Sequence, residues 1–181
     1  MSNLAEPYID RLQNYIVDVP DFPREGIIFK DITPILANPE LIHETVEVLA
    51  DHYRSSPIDA VAGIESRGFL FGIQLAKTLG IPFIPIRKEG KLPREKVKIS
   101  YQLEYGNATI EAHADAIEEG WNVLIHDDLL ATGGTAKAAA EIIELLKGKV
   151  YGFSFLIELD FLKGRDILTS HSGNIHRILN Y

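Results

Sequence analysis

A chain of 181 residues, 46% hydrophobic and 24% charged, has the size and composition of one globular domain. No stretch reaches the roughly 18 apolar residues that span a bilayer, and Met1 to Tyr15 lacks the basic start and apolar run of a signal peptide, so a cytoplasmic protein with no membrane partner is expected. Zero cysteines exclude disulfides and thiolate metal sites, and 18 basic against 26 acidic residues give a net charge of -8, which argues against a nucleic-acid partner and leaves any basic cluster to serve a small anion.

Pro7 to Ile16 reads as a short helix, with Ile9, Leu12, Tyr15 and Ile16 on one side. From Val19 to Pro34 the chain carries three prolines in a mostly apolar run, loop-like first and extended later. Asn38 before Pro39 supplies a cap and a first-turn proline for a helix to about Tyr53. Ile58 to Ile64 is a buried strand, Glu65-Ser66-Arg67-Gly68 a loop, and Phe69 to Leu79 a helix that Gly80 ends. Pro82 to Ile86 is the next strand. The run Arg87 to Lys98 follows, six of its twelve residues basic; in isolation such a run is a solvated loop. Ser100 to Gly106 and a strand over Ala108 to Ala112, with Thr109 and Glu111 alternating against Ile110, read as a two-stranded flap over about 88–112.

Val123-Leu124-Ile125 is a short buried strand, with Asp127 and Asp128 expected at its carboxyl end, where open α/β sheets bind ligands. Gly133 and Gly134 permit close backbone approach, Thr135 is expected to cap the helix from Ala136 to Lys147, and the amides gathered there favour an anion. Two carboxylates repel phosphate as strongly as a helix N-terminus attracts it. A ligand that satisfies both has a phosphate at one end and hydroxyls a few ångströms away, as ribose 5-phosphate has. His126 is expected to be a hydrogen-bonded core histidine. Val150 to Leu159 is an apolar strand and Phe161 to Arg165 a loop, while His171, Ser172 and His176 lack ligand spacing and are expected at the surface.

The run Val123 to Thr135, hydrophobic residues followed by Asp127-Asp128-Leu129-Leu130-Ala131-Thr132-Gly133-Gly134-Thr135, resembles the phosphoribosyl-pyrophosphate motif of type I phosphoribosyltransferases, in the form found in the adenine phosphoribosyltransferase family. Three further stretches are similar to that family in the same order: the hood pattern from Phe22 to Pro34, the pyrophosphate loop Gly63 to Phe69, and Arg87 to Pro93 with Ser100 to Gly106. Phe161 to Arg165 resembles its Leu-x-Gly-Arg tail. Departures are His126 for an aliphatic residue, Glu65 for aspartate and Lys30 for arginine.

The resemblance implies one α/β domain, an open, mostly parallel twisted sheet flanked by helices, with an N-terminal hood over about 1–35 and the flap. It implies transfer of a phosphoribosyl group from phosphoribosyl pyrophosphate to adenine, giving AMP and pyrophosphate, in a homodimer with Mg²⁺ held mainly through substrate. In that reading Asp127, Asp128 and Ala131 to Thr135 (Ala131, Thr132, Gly133, Gly134, Thr135) bind ribose and 5-phosphate. Glu65, Ser66, Arg67, Arg87, Lys88 and Lys91 serve the pyrophosphate, the arginine of relatives at Arg87 reaching across the dimer; the peptide before Ser66 is cis. Ile28, Phe29 and Lys30 hold adenine, Tyr101 and Tyr105 belong to the flap, and Glu104 exchanges the purine proton. Other purine phosphoribosyltransferases (hypoxanthine, guanine, xanthine) share the ribose-phosphate loop, and a phosphoribosyl-pyrophosphate-sensing regulator is the reading from another class; the hood pattern argues for adenine.

Overall fold

The computed structural model describes residues 5–102 and 106–181. The chain packs as two compact units divided between Val48 and Leu49. The first contains α1 (Ala5–Asn14), an antiparallel hairpin of β1 (Val17–Pro20) and β2 (Ile28–Asp31), the single turn α2 (Thr33–Leu36) and the start of α3 (Pro39–Tyr53). Leu12, Ile32, Ile35 and Leu41 are buried, and the Tyr8 hydroxyl donates to Thr45 at 3.0 Å. The expected cap is in place: Asn38 Oδ1 accepts the Leu41 N–H at 3.1 Å. The hairpin and α2 were not legible as such, because Pro20, Pro23 and Pro34 mask the extended segments between them.

The second unit holds β3 (Ala60–Ile64), α4 (Gly68–Leu79), β4 (Phe83–Lys88), β5 (Lys96–Gln102), β6 (Asn107–His113), β7 (Asn122–Leu130), α5 (Gly134–Leu145), β8 (Lys149–Glu158), a 3₁₀ turn (Asp160–Leu162), α6 (Gly164–Leu168) and β9 (Ile175–Asn180). They build a seven-stranded sheet in the order β5-β6-β4-β3-β7-β8-β9. The block β4-β3-β7-β8-β9 is parallel, while β6 runs antiparallel to β4 and β5 antiparallel to β6. This is the α/β, mostly parallel sheet with flanking helices that the sequence led us to expect. A parallel strand is covered on both faces, which is why Ala60–Ile64 is apolar throughout and wholly buried. In α5 four small residues (Ala136, Ala138, Ala139 and Ala140) with Ile142 and Ile143 form the buried face, letting the helix lie close to the sheet.

Four expectations change. β7 continues through the acid pair to Leu130, because β8 pairs with it as far as Glu158 whereas the last partners on β3 are Gly63 and His126. Asp127 and Asp128 thus sit within the strand, just where β3 has turned away and left room beside them. Lys96 and Lys98 belong to β5 rather than to a loop. Residues 164–168 form a helix, and β9 adds a last strand. His176 is not a surface residue: it lies on β9, stacked on His52 with ring centroids 3.9 Å apart, and burial with nearby positive charge lowers its pKa to about 4. Among the described residues no helix is long and apolar enough to cross a membrane.

Candidate active site

Three strands end around one cleft of about 580 Å³, lined by Glu65, Ser66 and Arg67 after β3, Lys88 at the end of β4, Asp127 and Asp128 in β7, Thr135 in α5, and Tyr101, Ala108, Thr109 and Ile110 of the β5–β6 pair. The Glu65–Ser66 peptide is cis. The next turn is tight. A Cβ on Gly68 would stand 2.7 Å from the His126 carbonyl oxygen and 2.9 Å from Asp127 Oδ1, so the first turn of α4 rests directly on the backbone of β7 at the acid pair.

Charge in the cleft is arranged in two layers. On the floor, Arg67 Nε lies 2.9 Å from Asp128 Oδ2, an ion pair in which the carboxylate side chain is only 4% exposed. The Asp128 N–H donates to Asp127 Oδ1 at 2.9 Å. Burial, and then the neighbouring charge of Asp128, push Asp127 well above the usual carboxylate range; burial raises Asp128 too, against the pull of Arg67. Two crowded, buried carboxylates resist full ionisation, and the charge of Arg67 offsets this only in part. At the wall, burial pushes Glu65 up, but hydrogen bonds from Arg87 and the Lys88 N–H outweigh it and hold the group below its ordinary value. Arg87 grips both Glu65 oxygens at 3.1 and 3.3 Å and gives a third bond to the Lys91 carbonyl at 3.2 Å.

The glycine loop is built as the anion reading requires, with one difference. Gly133 has φ +83°, the left-handed region that favours glycine, and α5 begins at Gly134. No side chain caps this helix. Thr135 instead shares a hydrogen bond of 3.0 Å with the Tyr101 hydroxyl, tying β5 to the first turn of α5. The first amides of the helix therefore keep no side-chain partner at the cap, which suits an anion.

The family model of the phosphoribosyl transferase domain matches residues 31–158, running across the boundary between the two units as one domain would. An adenine phosphoribosyltransferase of Cytophaga hutchinsonii is 52% identical over 181 residues, all of both chains, and one of Carboxydothermus hydrogenoformans is 56% identical over 87% of this chain and 93% of its own. The chain belongs to the adenine phosphoribosyltransferase family. Among solved structures, the adenine phosphoribosyltransferase of Thermoanaerobacter pseudethanolicus superimposes with a TM-score of 0.91 at 45% identity, covering 96% of this chain and 99% of that one. That of Saccharomyces cerevisiae, complexed with adenine and an imino-altritol bisphosphate, gives 0.89 at 42% identity with the same coverage.

Of the residues this family likeness singles out, the cleft gathers Glu65, Ser66, Arg67, Lys88, Tyr101, Asp127, Asp128 and Thr135. Arg87 lies behind the wall on Glu65, and Lys91 is exposed in the turn after β4. Ile28, Phe29 and Lys30 lie on β2 of the first unit, Phe29 edge-on to Phe22 at 5.1 Å and Lys30 2.6 Å from Asp18 across the hairpin. Glu104 and Tyr105 lie outside the described residues. One residue the sequence reading missed is Glu111. Its carboxylate is fully buried in β6 and accepts the N–H groups of Lys91 at 3.0 Å and Leu92 at 2.8 Å, fixing the basic turn to the sheet. Burial pushes Glu111 up, but those backbone donors and Lys96 hold it below 4.5. The alternation with Ile110 suggested an outward residue; an acid between two basic strands was the available signal.

Proposed function

We propose that the protein catalyses transfer of the 5-phosphoribosyl group from phosphoribosyl pyrophosphate to adenine, releasing pyrophosphate and forming AMP, a reaction of purine salvage. The observation that carries this is the paired Asp127 and Asp128, with Arg67 against them, in one cleft with the first turn of α5. The full-length likeness to adenine phosphoribosyltransferases supports the same reading.

The bond from the anomeric carbon to the pyrophosphate oxygen breaks, and its electron pair leaves with pyrophosphate. Positive charge grows on the ring, and the purine nitrogen attacks from the opposite face, losing its proton to Glu104. Arg67, Lys88 and Lys91 neutralise the leaving group, with Arg87 acting at that end and Glu65 and Ser66 shaping its loop; fixed charges of this kind often supply the largest catalytic contribution. Asp127 and Asp128 hold the ribose hydroxyls. The amides from Ala131 to Thr135 anchor the 5-phosphate, so that binding energy remote from the chemistry orients the sugar. Ile28, Phe29 and Lys30 take the adenine, and Tyr101 and Tyr105 close with Glu104 over the site. We read the working form as a homodimer.

The carboxylate oxygens of Asp127 and Asp128 are hard donors that suit Mg²⁺. The ion would be held mainly through the substrate, with Asp127 and Asp128 beside it. When bound it supplies charge neutralisation for the departing pyrophosphate.

Nucleotide formation with each purine in turn tests the reading, and turnover of adenine alone is expected. Glu104→Gln should lower kcat by about 10²- to 10⁴-fold with adenine KM little altered, while Asp127→Asn and Asp128→Asn raise KM for phosphoribosyl pyrophosphate. Unchanged kinetics in all three would end this assignment of roles.

A further inference from the structure

A second set of residues meets the glycine loop from behind, away from the cleft. Gly164, the first residue of α6, is buried, and a Cβ on it would overlap the Ala131 carbonyl oxygen and stand 3.0 Å from the Gly133 nitrogen. The contact is reciprocal: a Cβ on Gly133 would lie 2.6 Å from the Gly164 carbonyl oxygen and 3.0 Å from Ile167 Cγ1. Two stretches of main chain thus touch with no side chain between them, and the loop can take its shape only while α6 stays in place. A helix of five residues does not hold itself.

What holds it is Arg165. Its Nε and Nη2 donate to the Glu158 carboxylate at 3.0 and 2.5 Å, a two-pronged pair, and its Nη1 donates to the Ile175 carbonyl on β9 at 3.0 Å. Glu158 ends β8 with its side chain 5% exposed, and it sits in register with Leu130, the residue immediately before the loop. Arg177 Nε adds a second cation 3.1 Å from Glu158. Charge-assisted forks of this kind fix geometry as well as energy.

We propose that Glu158 and Arg165 are positioning residues for the 5-phosphate: they touch no ligand, but clamp Gly164 as a backing plate that aims the amides of Ala131 to Gly134. The proposal rests on the reading that this loop takes the 5-phosphate. Removing the clamp acts selectively, on ligands that carry that phosphate. Pyrophosphate, gripped through Arg67 and Lys88, does not feel it.

The experiment measures inhibition constants of ribose 5-phosphate and of inorganic pyrophosphate on the full-length enzyme. Arg165→Ala keeps Arg177 beside the buried Glu158, which preserves the fold. It should weaken ribose 5-phosphate about 10- to 100-fold and pyrophosphate less than about twofold, with Arg165→Lys in between because one ammonium cannot copy the fork. Glu158→Gln, which keeps the shape and loses the charge, should follow the same order. Equal losses for both ligands, or none, overturn the proposal. Gly134→Asp, which sets a carboxylate among the loop amides at a position where a Cβ meets only ordinary contacts of 3.7 and 3.8 Å, separates it from the reading beneath: if that variant leaves ribose 5-phosphate affinity intact, the loop is not the phosphate site. If it weakens that affinity while Arg165→Ala does not, only the clamp is wrong.

Discussion

His126 offers a clean measurement of what burial costs a titratable group in this sheet. The ring is fully buried in β7, with Nδ1 3.2 Å from Ser154 Oγ and its edge against Gly72, where a Cβ would come within 3.3 Å of Cδ2. Burial lowers its pKa from 6.5 to about 4. Because the folded value lies below the unfolded one, the neutral ring costs nothing above pH 6.5. As pH falls toward 4 the unfolded chain takes up a proton that the folded chain refuses, and stability is lost. Each pH unit of that interval is worth about 1.4 kcal/mol, so the loss reaches about 2.5 kcal/mol by pH 4.5. His126→Leu installs an apolar side chain of similar size and removes the titration. Urea unfolding of both proteins at pH 7.5, 6.5, 5.5 and 4.5 should give a wild-type curve that falls below the variant's by this amount over the acid half, whatever their offset at pH 7.5. His176, lowered similarly, contributes equally to both and cancels. Parallel curves would mean that the folded ring titrates normally and that its burial carries no such penalty.

Gly68→Ala tests the close packing of α4 on the acid pair. Its Cβ at 2.7 Å from the His126 oxygen must move outward by more than half an ångström to reach an ordinary contact of 3.4 Å, carrying Arg67 away from Asp128. Stability should fall by about 1–3 kcal/mol, and kcat/KM by roughly 10- to 100-fold; an active, stable variant would refute the fit. Glu111→Gln should raise KM for phosphoribosyl pyrophosphate roughly five- to tenfold, with adenine KM steady, since the Lys91 turn loses charge-assisted bonds. Since Glu111 is held below 4.5 in the fold, only the wild type should lose this contribution as pH drops through that region, which denaturation at pH 6 and pH 4 would reveal.

The central strand, the acid pair and the glycine turn were legible because each follows from local composition: an apolar run, then carboxylates, then residues that allow φ above zero. The Asn38 cap and the Gly80 stop were equally local, Gly80 adopting φ +72°. What escaped depends on partners distant in sequence. The strand carries on past Asp128 only because β8 runs beside it, and the Glu111 carboxylate is tolerated in the interior because the Lys91–Leu92 turn, some twenty residues earlier, brings two N–H groups to it. Likewise, α6 has five residues and no helical period to detect; Arg165 finds Glu158 and the carbonyl of Ile175 only in three dimensions. Thr135 looked like a cap by type and position, yet its hydroxyl turns to Tyr101, 34 residues away.

An open sheet has two rims, and here one of them is β5. A rim strand offers a row of unsatisfied main-chain groups that invites another polypeptide to add itself, the first step toward insoluble aggregates. Lys98, Ser100 and Gln102 project into solvent from that rim, with Lys96 half-covered beside them. Adding a foreign strand would press its backbone against ammonium groups that hold their water tightly. The same lysines that enrich the run after β4 therefore also guard the molecule against its neighbours in a crowded solution.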